Sequence, residues 1–284
     1  MKNKKRILSI ILGLLAVSLG YFAWSKWASA TRIALVNFPN YQVSNMALSN
    51  EDSFIKFEDV PLDQLDKLKN YDFILAWGMG IKIDENQRNT IIKTAEKVPT
   101  HFVSVTSPEN DISSLSESQS EKVDGYLSSG NKKNFQNFAR YVRKYIDGKK
   151  FFAEEPEKVA EKKENVFFHI DEEVAFSDIK AYEDYLKKNN LYQEGKPKIA
   201  IVSGIHDPFS GNKAHIDSII VSLQKSGLNV YPFASFSKRV EFLEQINPDA
   251  VIYFPHGRLQ MTNPEQTVDW LKEKNIPIFT PISV

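Results

Sequence analysis

Hydrophobic positions along this chain follow two periods. Short runs of β-branched and aromatic residues stop at glycine, asparagine or proline, and polar stretches follow in which apolar residues recur every three or four positions. Residues 196–234 show the pattern most fully. A run at 199–202 stops before Gly204, and Ser210, Gly211 and Asn212 precede a helix carrying Ile216, Ile219, Ile220 and Leu223 on one face. Gly227 ends that helix, and 228–233 reads as the next buried strand. Strand, loop, helix and strand within some forty residues make a βαβ unit. Such units build parallel sheets with a crevice at the C-terminal ends of the strands.

The same reading extends to both sides. Residues 32–38 predict a first strand, followed by a polar stretch and a short helix over 62–69 behind Pro61. Residues 71–77 (YDFILAW) predict a buried strand, and Asp84 caps a helix to about 97 with Ile91, Ile92 and Ala95 on one face. A strand at 101–105, a serine-rich loop at 107–120 and an amphipathic helix at 131–146 complete a first lobe. In that last helix Phe135, Phe138, Val142, Tyr145 and Ile146 are expected to face inward. The heavily charged segment 148–165 reads as a connection. Beyond it come strands at 166–170, 198–203, 229–233, 250–254 and 276–280, with helices at 177–188, 238–245 and 264–274. No repeat of solenoid period occurs. The expectation is an α/β chain of two lobes, 31–147 and 166–284. Each would hold a parallel sheet covered on both faces, in a flavodoxin- or Rossmann-like, periplasmic-binding-protein-like arrangement.

The N-terminus adds a membrane element. Lys2, Lys4, Lys5 and Arg6 precede an uncharged, Leu- and Ile-rich run over 7–24, just long enough to cross a bilayer, with Tyr21, Trp24 and Trp27 placed for its far interface. The rival is a signal peptide cleaved after Ala28-Ser29-Ala30. The first reading gives an inner-membrane anchor and the second a secreted chain. Both leave residues 31–284 on the periplasmic, extracytoplasmic side.

Composition narrows the chemistry. Lys+Arg and Asp+Glu number 36 each among 284 residues, so there is no net field to draw nucleic acid. With no cysteine, disulfides, thiolate metal sites and a cysteine nucleophile are excluded. Walker, GxSxG, GxGxxG, HExxH and EF-hand patterns are absent, so no nucleotide site is expected.

Three strand ends open into loops suited to contact: Trp77-Gly78-Met79-Gly80, then His206-Asp207 behind Gly204-Ile205, then His256-Gly257 behind Pro255. Glycine lets backbone approach a ligand, and imidazole can ligate metal or carry a proton. His206 and His256 are therefore the weak metal candidates. Ser210 and Asn212 at a helix start either hold an anion through free N–H groups or cap the helix. His101, beginning a strand, reads as structural, and His215, one turn into a helix, as exposed.

Phe168-His169-Ile170-Asp171, the helix that follows, KPKIAIVSG, the run from GNKAHIDSII to VYPFASF, and PDAVIYF form an order of motifs. It resembles the N-terminal part of the large tetrapyrrole-binding subunit of metal chelatases, the cobaltochelatase CobN and magnesium chelatase H-subunit family. Ile170 stands where the family usually has proline. The resemblance implies binding of a porphyrin, haem or corrin. It also implies metal insertion, as in cobalamin biosynthesis, or metal removal from haem, with cobalt, magnesium or iron as the metal. Family members are several times longer, so the chain is expected to be a front portion lacking a complete active site. Other chelatase subunits or a C-terminal portion would be its partners. The competing class is a membrane-tethered, two-lobed module that binds a small ligand without catalysis.

Overall fold

A computed structural model of the chain describes residues 2–78, 84–103, 112–161, 163–170, 174–203, 208, 213–254 and 264–281, with side chains from Ile10 onward. The chain divides into two compact units. One comprises Met1–Ser128 with Lys133–Ala160, the other Ser129–Lys132 with Glu161–Val284. Each is an α/β layer structure built as the alternation of periods requires.

In the first unit a long helix α1 (Lys2–Trp27) leads after three residues into strand β1 (Thr31–Val36). Then come α2 (Asn40–Ser49), β2 (Ile55–Asp59), a 3-10 turn (Leu62–Asn70) and β3 (Phe73–Trp77). The unit continues with α3 (Glu85–Ala95), β4 (Thr100–Val103), β5 (Ile112–Ser113), α4 (Glu117–Ser129) and α5 (Lys132–Tyr141). A π-turn over Val142–Ile146 closes α5. The strands order β2-β1-β3-β4-β5, parallel except for β5. One face packs Ile33, Leu35, Phe73 and Leu75 under α2, α4 and α5 through Met46, Val123, Tyr126 and Phe138. The other packs Ala34, Val36, Ile74 and Ala76 under the 3-10 turn and α3 through Leu65, Leu68 and Ile91. Asp84 and Gln87 form a reciprocal capping box at the start of α3.

Several expectations for this unit need correction. The polar stretch after β1 contains α2 and β2, and the serine-rich region expected as a loop over 107–120 holds β5 and the start of α4. Tyr145, expected inward, is 48% exposed. The π-turn, whose Asp147 N–H donates to Val142 at 2.8 Å, takes one more residue per turn than an α-helix. It thereby rotates Arg143 into the core and Tyr145 out. The charged segment 148–165 holds no helix among its described residues. Its 154–160 portion lies along α5, where the Asn134 amide bonds both backbone groups of Ala160, at 2.8 and 2.9 Å. Asn137 accepts from the Glu157 N–H at 2.9 Å. The Tyr126 hydroxyl donates to Glu157 O at 2.5 Å, and burial pushes that phenol up to about 12. Glu154, Glu155 and Glu157 pair with Arg140, Lys144 and Lys133.

The second unit runs β6 (Val166–Phe168), β7 (Ala175–Phe176), α6 (Ile179–Lys188), β8 (Lys198–Val202), α7 (Ala214–Lys225), β9 (Asn229–Ala234), α8 (Arg239–Ile246), β10 (Ala250–Tyr253), α9 (Pro264–Lys274) and β11 (Ile278–Phe279). Its sheet orders β11-β10-β8-β9-β6-β7. Strands β8 to β11 are parallel, whereas β6 and β7 add antiparallel at one edge. Both sheets are thus mixed rather than wholly parallel. The added strands are two or three residues long, too short to show a period. One face carries α6, α8 and α9 over Ala200, Val202, Tyr231 and Val251, and the opposite face carries α7 over Ile201 and Val230.

A polar clamp joins α1 to the first sheet. Arg143 is wholly buried, and its guanidinium donates to Ser29 O at 2.8 Å, Thr31 Oγ1 at 3.1 Å, Phe54 O at 3.2 Å and Phe151 O at 2.8 Å. Lys149, 3% exposed, donates to Ala30 O at 3.2 Å and pairs with Asp147 at 2.9 Å and Asp72 at 3.1 Å. Burial lowers the Arg143 pKa and raises that of Asp147; the Thr31 hydroxyl, 2.6 Å from the Asp147 carboxylate, opposes the latter shift. Two cations and two carboxylates balance. Removing one partner of a buried, hydrogen-bonded charge set is costly. We expect Arg143→Met to destabilise the detergent-solubilised full chain by about 3–5 kcal/mol in urea denaturation; a change within 0.5 kcal/mol, the usual range of a surface substitution, contradicts the clamp.

Candidate functional site

Each sheet reverses its winding once, and a crevice opens at such a switch because the two strands send their helices to opposite faces. In the first unit the switch lies between β1 and β3, paired through Val36 and Ala76. Strand β1 leads to α2 on one face, and β3 leads to α3 on the other. Asn37 turns the chain with a φ of 61°, a left-handed conformation that asparagine tolerates. Its Nδ2 donates to Trp77 O at 2.8 Å and ties the two strand exits together. The Phe38 ring, nearly buried, lies 5.7 Å from the Trp77 ring at 38°. Pro39 precedes α2 with no side-chain cap, so the first N–H groups of that helix have no side chain bonded to them from the cap position. Trp77 and Gly78, both half-buried, are therefore at the switch edge, as their position at a strand end predicts.

In the second unit the switch lies between β8 and β10, paired through Val202 and Tyr253. The exit of β8 is fixed by Ser203, whose N–H and hydroxyl both donate to Phe233 O, at 3.1 and 3.0 Å. The exit of β10 is fixed by the Phe254 N–H donating to Val202 O at 3.0 Å. Segments 204–212 and 255–263 are connected to these two exits. The candidates His206, Asp207, Ser210, Asn212, His256 and Gly257 belong to them and lie outside the described residues, as do Met79, Gly80 and Asp171.

Where the chain is described again, Lys213 rather than asparagine occupies the cap position of α7, so the helix starts at Ala214. The Lys213 ammonium is buried and donates to His169 O at 3.1 Å, Ile170 O at 3.0 Å and the Asp217 carboxylate at 2.8 Å. It thus pins the end of β6 to the start of α7 beside the switch. Sequence reading passed over Lys213, although it follows the Ser210–Asn212 turn singled out there, and it placed Asn37 and Phe38 inside the first strand, whereas β1 ends at Val36.

The remaining histidines divide as their positions suggest. His101 is buried, within 3.1 Å of Ser113 Oγ and 2.8 Å of Asp124, holding β4 to β5 and α4. His169 is 2% exposed with Nε2 2.9 Å from the Gln224 amide. His215 is exposed and packs edge-on against Phe254 at 5.4 Å. Among the described residues no three His, Asp or Glu side chains gather as a metal site.

A model of the CobN/Magnesium Chelatase family matches residues 124–284, more than half of the sequence. The chain belongs to that family. The catalytic subunit of cobaltochelatase from Mycobacterium tuberculosis has the same fold over 88% of this chain, with a TM-score of 0.54 at 15% identity. This chelatase-family chain spans 21% of that subunit's length. A XylFII molecule (TM-score 0.23, 11% identity, 90% of this chain and 81% of that one) is more distant. So is a D-isomer specific 2-hydroxyacid dehydrogenase from Lactobacillus delbrueckii ssp. bulgaricus (TM-score 0.29, 11% identity, 88% and 70%). No curated protein matches in sequence.

Proposed function

We propose that this chain is a membrane-anchored, CobN-like lobe pair that binds a tetrapyrrole for metal insertion or removal. The observation that carries the reading is the family match through the whole second unit. The first unit supports it, because half-buried Trp77, backed by the nearly buried Phe38 ring, offers aromatic surface at a switch edge and flat macrocycles stack on such rings. Metal and macrocycle are substrates in this reading. The remaining reaction machinery would lie in other subunits or in a portion of the protein beyond these residues.

Helix α1 supports work at a membrane. Its stretch Ile10–Trp27 is long and apolar enough to cross a bilayer, and the basic residues before it favour a cytoplasmic N-terminus with residues 31–284 extracytoplasmic. The clamp favours retention of this helix over signal cleavage. Cleavage after Ala30 would remove the Ser29 and Ala30 carbonyls that Arg143 and Lys149 bond. It would also set a new ammonium at Thr31 beside those two cations. Each hydrogen bond to a charged group is worth about 1.5–3 kcal/mol, so the cut chain would be markedly weaker at that junction. We therefore expect the protein extracted from its own cell membrane to keep residues 1–30 by intact mass; a soluble form beginning at Thr31 would contradict the anchor.

Binding is tested by titrating haem and protoporphyrin into the solubilised full chain. The expected result is a shifted Soret band with quenched tryptophan emission, and affinity about tenfold lower in Trp77→Ala, equivalent to ~1.4 kcal/mol. Trp77→Phe, which keeps a ring on the core, should restore most of it. No Soret change with either macrocycle overturns the tetrapyrrole reading and leaves a module for another small ligand.

A further inference from the structure

We infer that Phe151 and Phe152 form a membrane-docking loop that seats the first unit on the bilayer with the free edge of its sheet turned away. This rests on α1 being a retained membrane helix. Only three residues separate Trp27 from Thr31, and the clamp holds them, so no flexible tether lifts the first unit from the membrane surface. Whatever surrounds Trp27 must then lie at headgroup depth. What surrounds it is the 148–152 loop, whose Phe151 N–H donates to Trp27 O at 3.4 Å.

The side chains of that loop are unusual for a water-facing turn. Phe151 is 60% exposed and Phe152 62%, and the indoles of Trp24 and Trp27 on α1 are exposed as well. Phe152 has a φ of 54°, a left-handed conformation that a bulky side chain adopts only at a cost. Its ring stacks on Phe54 at 4.9 Å and 5° between planes, and Arg143 lies over the Phe54 ring with its guanidinium carbon 5.2 Å from the centroid. The buried clamp cation and the exposed aromatic are thus neighbours through one ring. A shallow depression of about 470 Å³ beside them is bordered by Glu51, Asp52, Lys150 and Glu154. With charges of both signs there, aromatic insertion rather than attraction to anionic lipid drives the contact. Aromatic side chains favour that interfacial layer.

Strand direction then fixes the outcome. β1 to β4 are parallel, so Thr31, Ile55, Phe73 and Thr100 begin at the bilayer-facing edge. The opposite edge, with Asn37, Phe38 and Trp77, lies about five residues further along, roughly 17 Å at strand rise. A ligand would approach that edge from the aqueous side.

The absence of cysteine allows single labels on the full chain. An environment-sensitive NBD dye is placed at Phe151→Cys, at Leu15→Cys as a reference within α1, and at Glu85→Cys as a reference at the start of α3. Each protein is reconstituted into phosphatidylcholine nanodiscs and exposed to dithionite. The expected result is emission at 151 shifted to the blue and reduction several-fold slower than at 85, with 15 slower still. Reduction at 151 as fast as at 85, with 15 protected, overturns the docking loop while leaving the anchor. Rapid reduction at all three positions overturns both. Protection at 151 that depends on protein concentration and not on lipid assigns the patch to a second copy of the chain and overturns the proposal.

Discussion

Two buried cations govern the first unit. Arg143 and Lys149 collect carbonyls from Ser29, Ala30, Phe54 and Phe151 and carboxylates from Asp72 and Asp147, four of which lie within two residues of a strand start or of the end of α1. A desolvated cation is tolerable only when such partners surround it. The requirement runs in both directions: the cations fix the approach of α1 to the sheet, and the chain ends of β1, β2 and β3 are fixed by the cations. The π-turn that brings Arg143 inward is the local irregularity on which this arrangement depends.

The proposed function depends on which edge of the sheet is occupied by that clamp. A parallel sheet has two unlike edges, and ligands in such folds sit at the C-terminal one. Because the clamp takes the N-terminal edge, the switch edge with Asn37, Phe38 and Trp77 is left for contact. The second unit repeats the logic independently, with Ser203 and Phe254 fixing the two strand exits at its switch and Lys213 fixing the start of α7.

Much of this was legible in the sequence because strand segments such as 73–77 and 199–202 are continuous apolar runs, and helices such as α7 and α9 carry clear stripes. Elements escaped where the physical signal is thin. Among the described residues helix α2 buries only Met46 and Ser49, and α4 only Val123 and Tyr126, within polar, serine-containing sequence that reads as loop. The π-turn breaks the period that placed Tyr145 inward, and no local residue announces it. Arg143 and Lys149 look like solvated charges in sequence. Their partners are up to 119 residues away, a relation that periodicity does not contain. At the site, the glycine-marked strand ends located the edges, whereas the residues that organise them, Asn37 and Lys213, carried no motif.

The claim that the rest depends on is that α1 and the first sheet move as one body. It is tested most directly by the distance between nitroxide labels at Val17→Cys and Glu85→Cys in the full chain held in nanodiscs, measured by double electron–electron resonance. The account predicts one narrow distance distribution that broadens when Arg143→Met is added. A broad distribution unaffected by that substitution would contradict it.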